Sequence, residues 1–226
     1  ECVNYFMPII HKFTNLDTLY NNDKFILSAL NLAFIGYFSK NKIKLNENFY
    51  LWPDGITAKL FGFKEKIPGR KLIGNIKLNL ENIENVVLLG NSSNNINNFL
   101  EYKFKKKIIN VNLPISDTSE IIQKLPKIIK ENLYIVTLPT PKQEIIAAHI
   151  SKNNKFFKVI CIGGGLEIAS GDIEPCPAIF EKLGLESLWR LRTNFIRRLI
   201  RLGETFIFFC IFWFSKKKKE LIFKSF

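Results

Sequence analysis

Four cysteines, Cys2, Cys161, Cys176 and Cys210, and two histidines, His11 and His149, are scattered through 226 residues with no CxxC pair and no close pair of histidines. This scarcity argues against a zinc ribbon and against a disulfide framework. Few thiols in apolar surroundings read as reduced and buried, the state expected inside a cell. No metal and no cofactor are expected. The first residues also lack the charged, apolar, small-residue order of a secretory signal, so no export is expected. Nor is there an apolar run of spanning length. The most apolar block, Phe206 to Phe214, has nine residues; as a helix it would cover ~14 Å, about half of the ~30 Å hydrocarbon layer.

Negative charge is in shorter supply than positive. With 20 acidic against 33 basic residues the formal net charge is +13, which on its own would suit a nucleic-acid binder. The distribution argues against that partner. Residues 182–226 hold eleven cations against Glu186, Glu204 and Glu220, so eight of the thirteen net charges fall in the last 45 residues. Cations beside Phe206–Phe214, among them Lys216 to Lys219, suit an interfacial anchor on an anionic membrane surface. The competing expectation is a terminal helix packed on the core with a solvated lysine tail. An exposed apolar patch also serves subunits as readily as lipids, so self-association stays open.

Apolar segments of strand length alternate with amphipathic segments of helix length, the pattern of a parallel sheet with helices on its faces. Val86–Gly90, Ile108–Asn112, Leu133–Leu138 and Phe157–Ile162 read as strands, and Phe49–Trp52 as an earlier one. Tyr20–Phe38, Ile96–Phe104, Ser116–Lys130, Lys142–Asn153 and the arginine-studded stretch Ala178–Leu202 read as helices. The predicted fold is α/β, a Rossmann-like parallel sheet flanked by helices. Residues 1–177 would form the core and residues 178–226 a basic, helical, membrane-associating appendage.

In such sheets ligands bind at the carboxyl ends of strands. Four places qualify: Asp54 in Trp-Pro-Asp-Gly, Asn91 and Ser92, the Pro139–Glu144 segment, and the triplet Gly163, Gly164 and Gly165. Asp-Gly is a common turn pair, but a carboxylate at a strand end is also available as a general base. The glycines allow a close backbone approach to a phosphate or ring, or simply a turn. Pro141 suits the first turn of a helix, which would place Lys142, Gln143 and Glu144 at its positive end, near the sheet edge. His149 has no assigned role.

The order of these motifs resembles the WecB/TagA/CpsF glycosyltransferases. The elements that match are Thr14 and Asn15; Asp54 and Gly55; Gly69 and Arg70; Gly90; Pro141, Lys142, Gln143 and Glu144; Gly163, Gly164 and Gly165; and Leu185, Glu186, Arg190, Arg197 and Arg201. They run over roughly residues 13–202, and Pro-Lys-Gln-Glu is the most specific of them. The resemblance implies an inverting, metal-independent transferase that moves a sugar such as an N-acetylhexosamine from a UDP-sugar to a polyprenyl-diphosphate-linked acceptor at the cytoplasmic face of the membrane. It also implies that Asp54 is the base, that Thr14, Asn15, Gly55, Arg70, Pro141, Lys142, Gln143, Glu144, Gly163, Gly164 and Gly165 contact substrate, and that Arg190, Arg197 and Arg201 do so while closing over the site. The chain departs from the family where Pro175, Cys176 and Pro177 replace an Arg-Ala-Pro run and Ser187 replaces a tryptophan. The missing arginine would suit a catalytically degenerate, membrane-associated nucleotide-sugar-binding or partner-binding subunit. A nicotinamide-dependent oxidoreductase is disfavoured, since no G-x-G-x-x-G opens a helix after the first strand.

Overall fold

The computed structural model describes residues 10–11, 19–55, 61, 63, 66–125, 132–152, 154, 156–183, 189, 195–214 and 223–224. Six parallel strands form one sheet: β2 (Lys24–Leu30), β3 (Phe49–Pro53), β4 (Asn85–Leu89), β5 (Lys107–Val111), β6 (Asn132–Val136) and β7 (Phe157–Cys161), in the order β3-β2-β7-β6-β4-β5. A separate two-residue parallel pairing joins β1 (Ile10–His11) to β8 (Phe223–Lys224).

Both faces of the sheet are buried. Alternate residues of β2 show why: Phe25, Leu27 and Ala29 enter one core with Leu72, Ile96, Leu100 and Leu166. Ile26 enters a second core with Ile121, Ile146 and Ile150. The first core is covered by α2 (Gly69–Asn75), α3 (Asn94–Phe104) and α6 (Gly165–Ala169), the second by α4 (Thr118–Gln123) and α5 (Lys142–Lys152). Two-sided burial accounts for continuous apolar runs such as Val-Val-Leu-Leu in β4.

The helix predicted over Tyr20–Phe38 is replaced by strand β2 followed by α1 (Leu32–Ser39). In β2 every residue after Lys24 is buried, and a run buried on both sides has no period by which strand and helix can be told apart. Asn31 makes the switch. Its backbone is extended (φ −125°, ψ 176°) and its side chain accepts from Phe34 N at 3.0 Å, capping α1. The helix predicted over Ser116–Lys130 is shorter, ending with α4 at Gln123; residues 126–131 lie outside the described residues. The stretch Ala178–Leu202 contains α7 (Ala178–Leu183) and the start of α8 (Phe195–Phe214).

The Phe206–Phe214 block is thus the second half of a 20-residue helix. One side of that helix packs on α1. A Cβ on Gly36 would lie 2.9 Å from Phe208 Cβ and 3.2 Å from Thr205 O, so only glycine permits this approach. Phe212 is fully buried against Phe34, Ile35 and Phe38, and Ser39 Oγ donates to Phe208 O at 3.2 Å. The opposite side of α8 carries Ile196, Ile200, Ile207 and Phe214, each more than half exposed. Among the described residues, no helix is long and apolar enough to cross a membrane.

Candidate functional site

Strand order fixes where a ligand can enter. From β4 the chain moves outward to β5, whereas from β6 it moves the other way to β7, so a crevice opens beyond the carboxyl ends of β4 and β6. Gly90 ends β4 with φ +128°, and Thr137 Oγ1 fills the space where its Cβ would be. Across the crevice, Ser93 Oγ donates to Asp172 Oδ2, and Asn95 Nδ2 donates to Asp172 Oδ1 at 2.8 Å. This tie between the start of α3 and the loop after α6 was not anticipated from sequence.

The Pro139–Glu144 segment leaves β6 and starts α5, with a cis peptide between Thr140 and Pro141. The positive end of the helix was expected to present the polar groups of Lys142, Gln143 and Glu144. Of these, Lys142 stays half-exposed, its Nζ donating to Ser116 O at 2.5 Å. Gln143 and Glu144 turn inward and are 4% and 1% exposed. Glu144 Oε1 accepts from Ser28 Oγ at 2.8 Å, from Gln143 Nε2 at 2.8 Å and from Thr140 Oγ1 at 3.1 Å. Gln143 Nε2 also donates to Thr140 Oγ1 at 3.0 Å. Glu144 Oε2 and Gln143 Oε1 have no partner among the described residues. Burial raises the Glu144 carboxyl above the usual range, opposed by these hydrogen bonds. Burial, and secondarily the Glu144 charge, pushes the neighbouring Cys161 thiol well above its ordinary value.

The three glycines divide their work. Gly163 takes φ +53°, and a substituent at its Cβ position would lie 3.7 Å from Gln143 Oε1 and 3.8 Å from Leu138 O. Gly164 caps α6. Gly165 is occupied by the protein itself: its Cβ would lie 3.2 Å from both Gly69 Cα and Gly69 C. The Gly69–Arg70 pair at the start of α2 is therefore in backbone contact with the exit of β7. Asp54 and Gly55 follow the edge strand β3, half-buried, with Gly55 at φ +67°. Only β2 separates β3 from β7, so two strand spacings of ~4.8 Å separate the strand leading to Asp54 from the strand leading to Gly163 by roughly 10 Å.

From the far side, α8 reaches the same turn. Arg201 Nη2 donates to Thr140 O at 2.7 Å. Tyr37, Pro139, Pro141, Lys142, Ile200 and Glu204 line an open pocket of about 310 Å³ around that contact. Arg197 lies on α8 one turn earlier; its side chain, Arg190, Thr14 and Asn15 lie outside the described residues. Among the described residues, no group of three His, Cys, Asp or Glu could hold a metal ion. Ser28 was missed because its segment read as helix. The available signal was a lone hydroxyl in the apolar run Phe-Ile-Leu-Ser-Ala-Leu, which in a buried strand requires a partner.

Fold and site together define a doubly wound α/β protein whose strand exits gather glycine backbone, an amide, carboxyls and the Arg201 guanidinium at one edge of the sheet. The chain belongs to the glycosyl transferase WecG/TagA/CpsF family, whose model matches residues 18–221. It is similar to the N-acetylglucosaminyldiphosphoundecaprenol N-acetyl-beta-D-mannosaminyltransferase of Staphylococcus aureus (strain NCTC 8325 / PS 47), at 27% identity over 227 residues, covering 92% of this chain and 85% of the relative. The protein of the same name from strain MRSA252 is 27% identical over 226 residues, with the same coverage.

Proposed function

We propose that this protein transfers an N-acetylhexosamine or related hexose from a UDP-sugar to a polyprenyl-diphosphate-linked sugar, with inversion and without a metal, at the cytoplasmic face of a membrane. The observation that carries the proposal is convergence. Asp-Gly, Gly-Arg, Pro-Lys-Gln-Glu and the glycine triplet, spread from residue 54 to residue 165, all come to the carboxyl edge of one sheet. The relatives' name supplies the acceptor class, a diphosphate-linked lipid bearing N-acetylglucosamine.

In this mechanism Asp54 takes the proton of the acceptor hydroxyl as it attacks the anomeric carbon from the face opposite the departing diphosphate. The roughly 10 Å between strands β3 and β7 leaves room for a hexose between their exits. Negative charge that develops on the UDP leaving group is met by Arg70 and Arg201, with Arg190 and Arg197 from the same appendage, residues 178–226, while the glycine exit, whose Gly163 and Gly165 N–H groups are held by Val136 O and Ile162 O, supplies close backbone approach. The exposed side of α8 lies on lipid and brings the diphosphate headgroup to the pocket beside Arg201.

The test is acceptor-dependent UDP release with a panel of UDP-sugars and a short-chain polyprenyl-diphosphate-N-acetylglucosamine, for wild type and Asp54→Asn. Turnover with one donor, reduced by about 100-fold or more in the variant, is expected. UDP binding without turnover on any donor would indicate a binding subunit instead.

A further inference from the structure

The Pro-Lys-Gln-Glu turn contains a buried amide whose two ends have unequal fates. Gln143 Nε2 has two hydrogens and two acceptors, Thr140 Oγ1 at 3.0 Å and Glu144 Oε1 at 2.8 Å. Glu144 Oε1 also takes the Ser28 and Thr140 hydroxyls. An oxygen that already collects three donors cannot serve as a donor, so the Gln143 amide cannot be reversed without setting its carbonyl against that oxygen. The outcome is visible at the other end. Gln143 Oε1, in a side chain only 4% exposed, has no partner among the described residues, and it faces the Gly163 exit together with the backbone oxygen of Leu138.

We propose that Glu144 is a positioning residue: it locks the Gln143 amide with its buried oxygen toward Gly163, so that the glycine exit of β7 accepts only a ligand group carrying an N–H or O–H donor. Resting on the reading of the site as a UDP-sugar site, this narrows the contact to two sources, the imide N–H of the uracil ring or a hydroxyl or amide N–H of the transferred sugar. A ligand that lacks the donor leaves Gln143 Oε1 unpaired, which should cost roughly tenfold in affinity, about 1.4 kcal/mol.

The amide's orientation is read without any ligand. In the nitrogen-labelled full chain, both Gln143 Nε2 protons should exchange with solvent far more slowly than those of exposed glutamines, and Thr140→Val should release one of them. Protons that exchange as fast as an exposed amide overturn the proposal. The ligand part is read by titrating UDP, 3-methyl-UDP and UDP-sugars lacking single hydroxyls into wild type, Glu144→Met and Glu144→Gln. Wild type should lose tenfold or more for one of these analogues, and which one identifies the source. Glu144→Met, which removes the acceptor, should shrink that loss to within about threefold, and Glu144→Gln, which keeps an acceptor oxygen, should restore it. Undiminished discrimination in Glu144→Met would overturn the positioning role. If no uridine nucleotide binds while the amide remains protected, the donor assignment fails and the ligand contact with it, whereas the orientation stands.

Discussion

Arg201 of α8 donates from Nη2 to the backbone carbonyl of Thr140 at 2.7 Å, tying the last described helix to the turn that carries Gln143 and Glu144. The contact spans 61 residues of sequence, and both partners line a pocket that Lys142 also lines. Because Arg201 is half-exposed, its removal should cost about 1 kcal/mol of stability, the modest net value of a solvated hydrogen bond. Activity should fall much further, by roughly tenfold to a thousandfold in kcat/KM, the loss typical when a group that stabilises transition-state charge is removed. Arg201→Lys should not rescue, because one ammonium cannot reach the carbonyl and a phosphate in the planar two-point manner of a guanidinium. Thermal unfolding and UDP release, measured on the same samples, separate the two effects.

The turn after β4 makes a purely steric prediction. Gly90 sits at φ +128°, and a Cβ there collides with Thr137 Oγ1, in a strand exit held by Gly90 N to Val111 O at 3.1 Å and Thr137 N to Leu89 O at 3.0 Å. Gly90→Ala should destabilise by about 2 kcal/mol or more, lowering Tm by roughly 5–10 °C in a chain of this size. Adding Thr137→Ala should recover only part of that, since the second change relieves the collision and not the backbone strain. Full recovery in the double variant would mean the backbone term is negligible.

How much of this was legible beforehand depends on which physical signal each residue carries. The strands β4 to β7 and the helices between them announced themselves through alternating apolar runs and amphipathic stretches, and the Pro-Lys-Gln-Glu, Asp-Gly and glycine motifs fell at strand ends as expected. Central strand β2 was not legible, because burial on both faces erases the period; Ser28, and with it the anchor of Glu144, went unseen. The inward turn of Gln143 and Glu144 was equally hidden, since spacing places residues on a helix but does not say which side the sheet covers. Gly165 read as a ligand glycine, yet its missing side chain is used by the Gly69 backbone, a contact between segments nearly a hundred residues apart that no local pattern encodes.

Stability should carry a pH signature from Glu144. Its carboxyl is raised by burial, so the folded state binds a proton more tightly than the unfolded chain, where a glutamate titrates near 4.3. The sign follows from linkage: above about pH 4.3 the unfolded state releases that proton first, so this group lowers stability progressively as pH rises until the folded value is passed. Glu144→Gln removes the titration while keeping an acceptor for Ser28, Thr140 and Gln143. Relative to wild type, it should therefore gain stability as pH rises above about 4.3, until the raised folded value is passed, as read from denaturant midpoints at several pH values. A constant difference across that range would show that Glu144 titrates alike in both states. Cys161, the other titratable group against this carboxyl, is pushed upward and stays neutral throughout the window.

The two sides of α8 should respond oppositely to substitution, and this contrast tests whether the helix meets lipid. Phe212 is fully buried against α1, with Phe38 edge-on at 6.5 Å between ring centroids; Phe212→Ala should cost about 3–5 kcal/mol by leaving a cavity. Ile207 and Phe214, at 58% and 88% exposure, lie on the other side with Ile196 and Ile200, a spacing that forms one apolar stripe along the helix. Ile207→Asp with Phe214→Asp removes nothing from the core, so the unfolding midpoint should stay within about 0.5 kcal/mol of wild type. If the stripe rests on lipid beside the run Lys216–Lys219, partitioning onto vesicles containing an anionic phospholipid should drop by tenfold or more, since each side chain buries on the order of 1.5–3 kcal/mol of apolar surface. Salt should weaken the wild-type binding as well, because cations near an anionic surface contribute about 1 kcal/mol each and are screened within a Debye length. Unchanged pelleting of the double variant would remove lipid as the occupant of this face, and a smaller mass in solution for that variant would assign the stripe to a subunit contact instead.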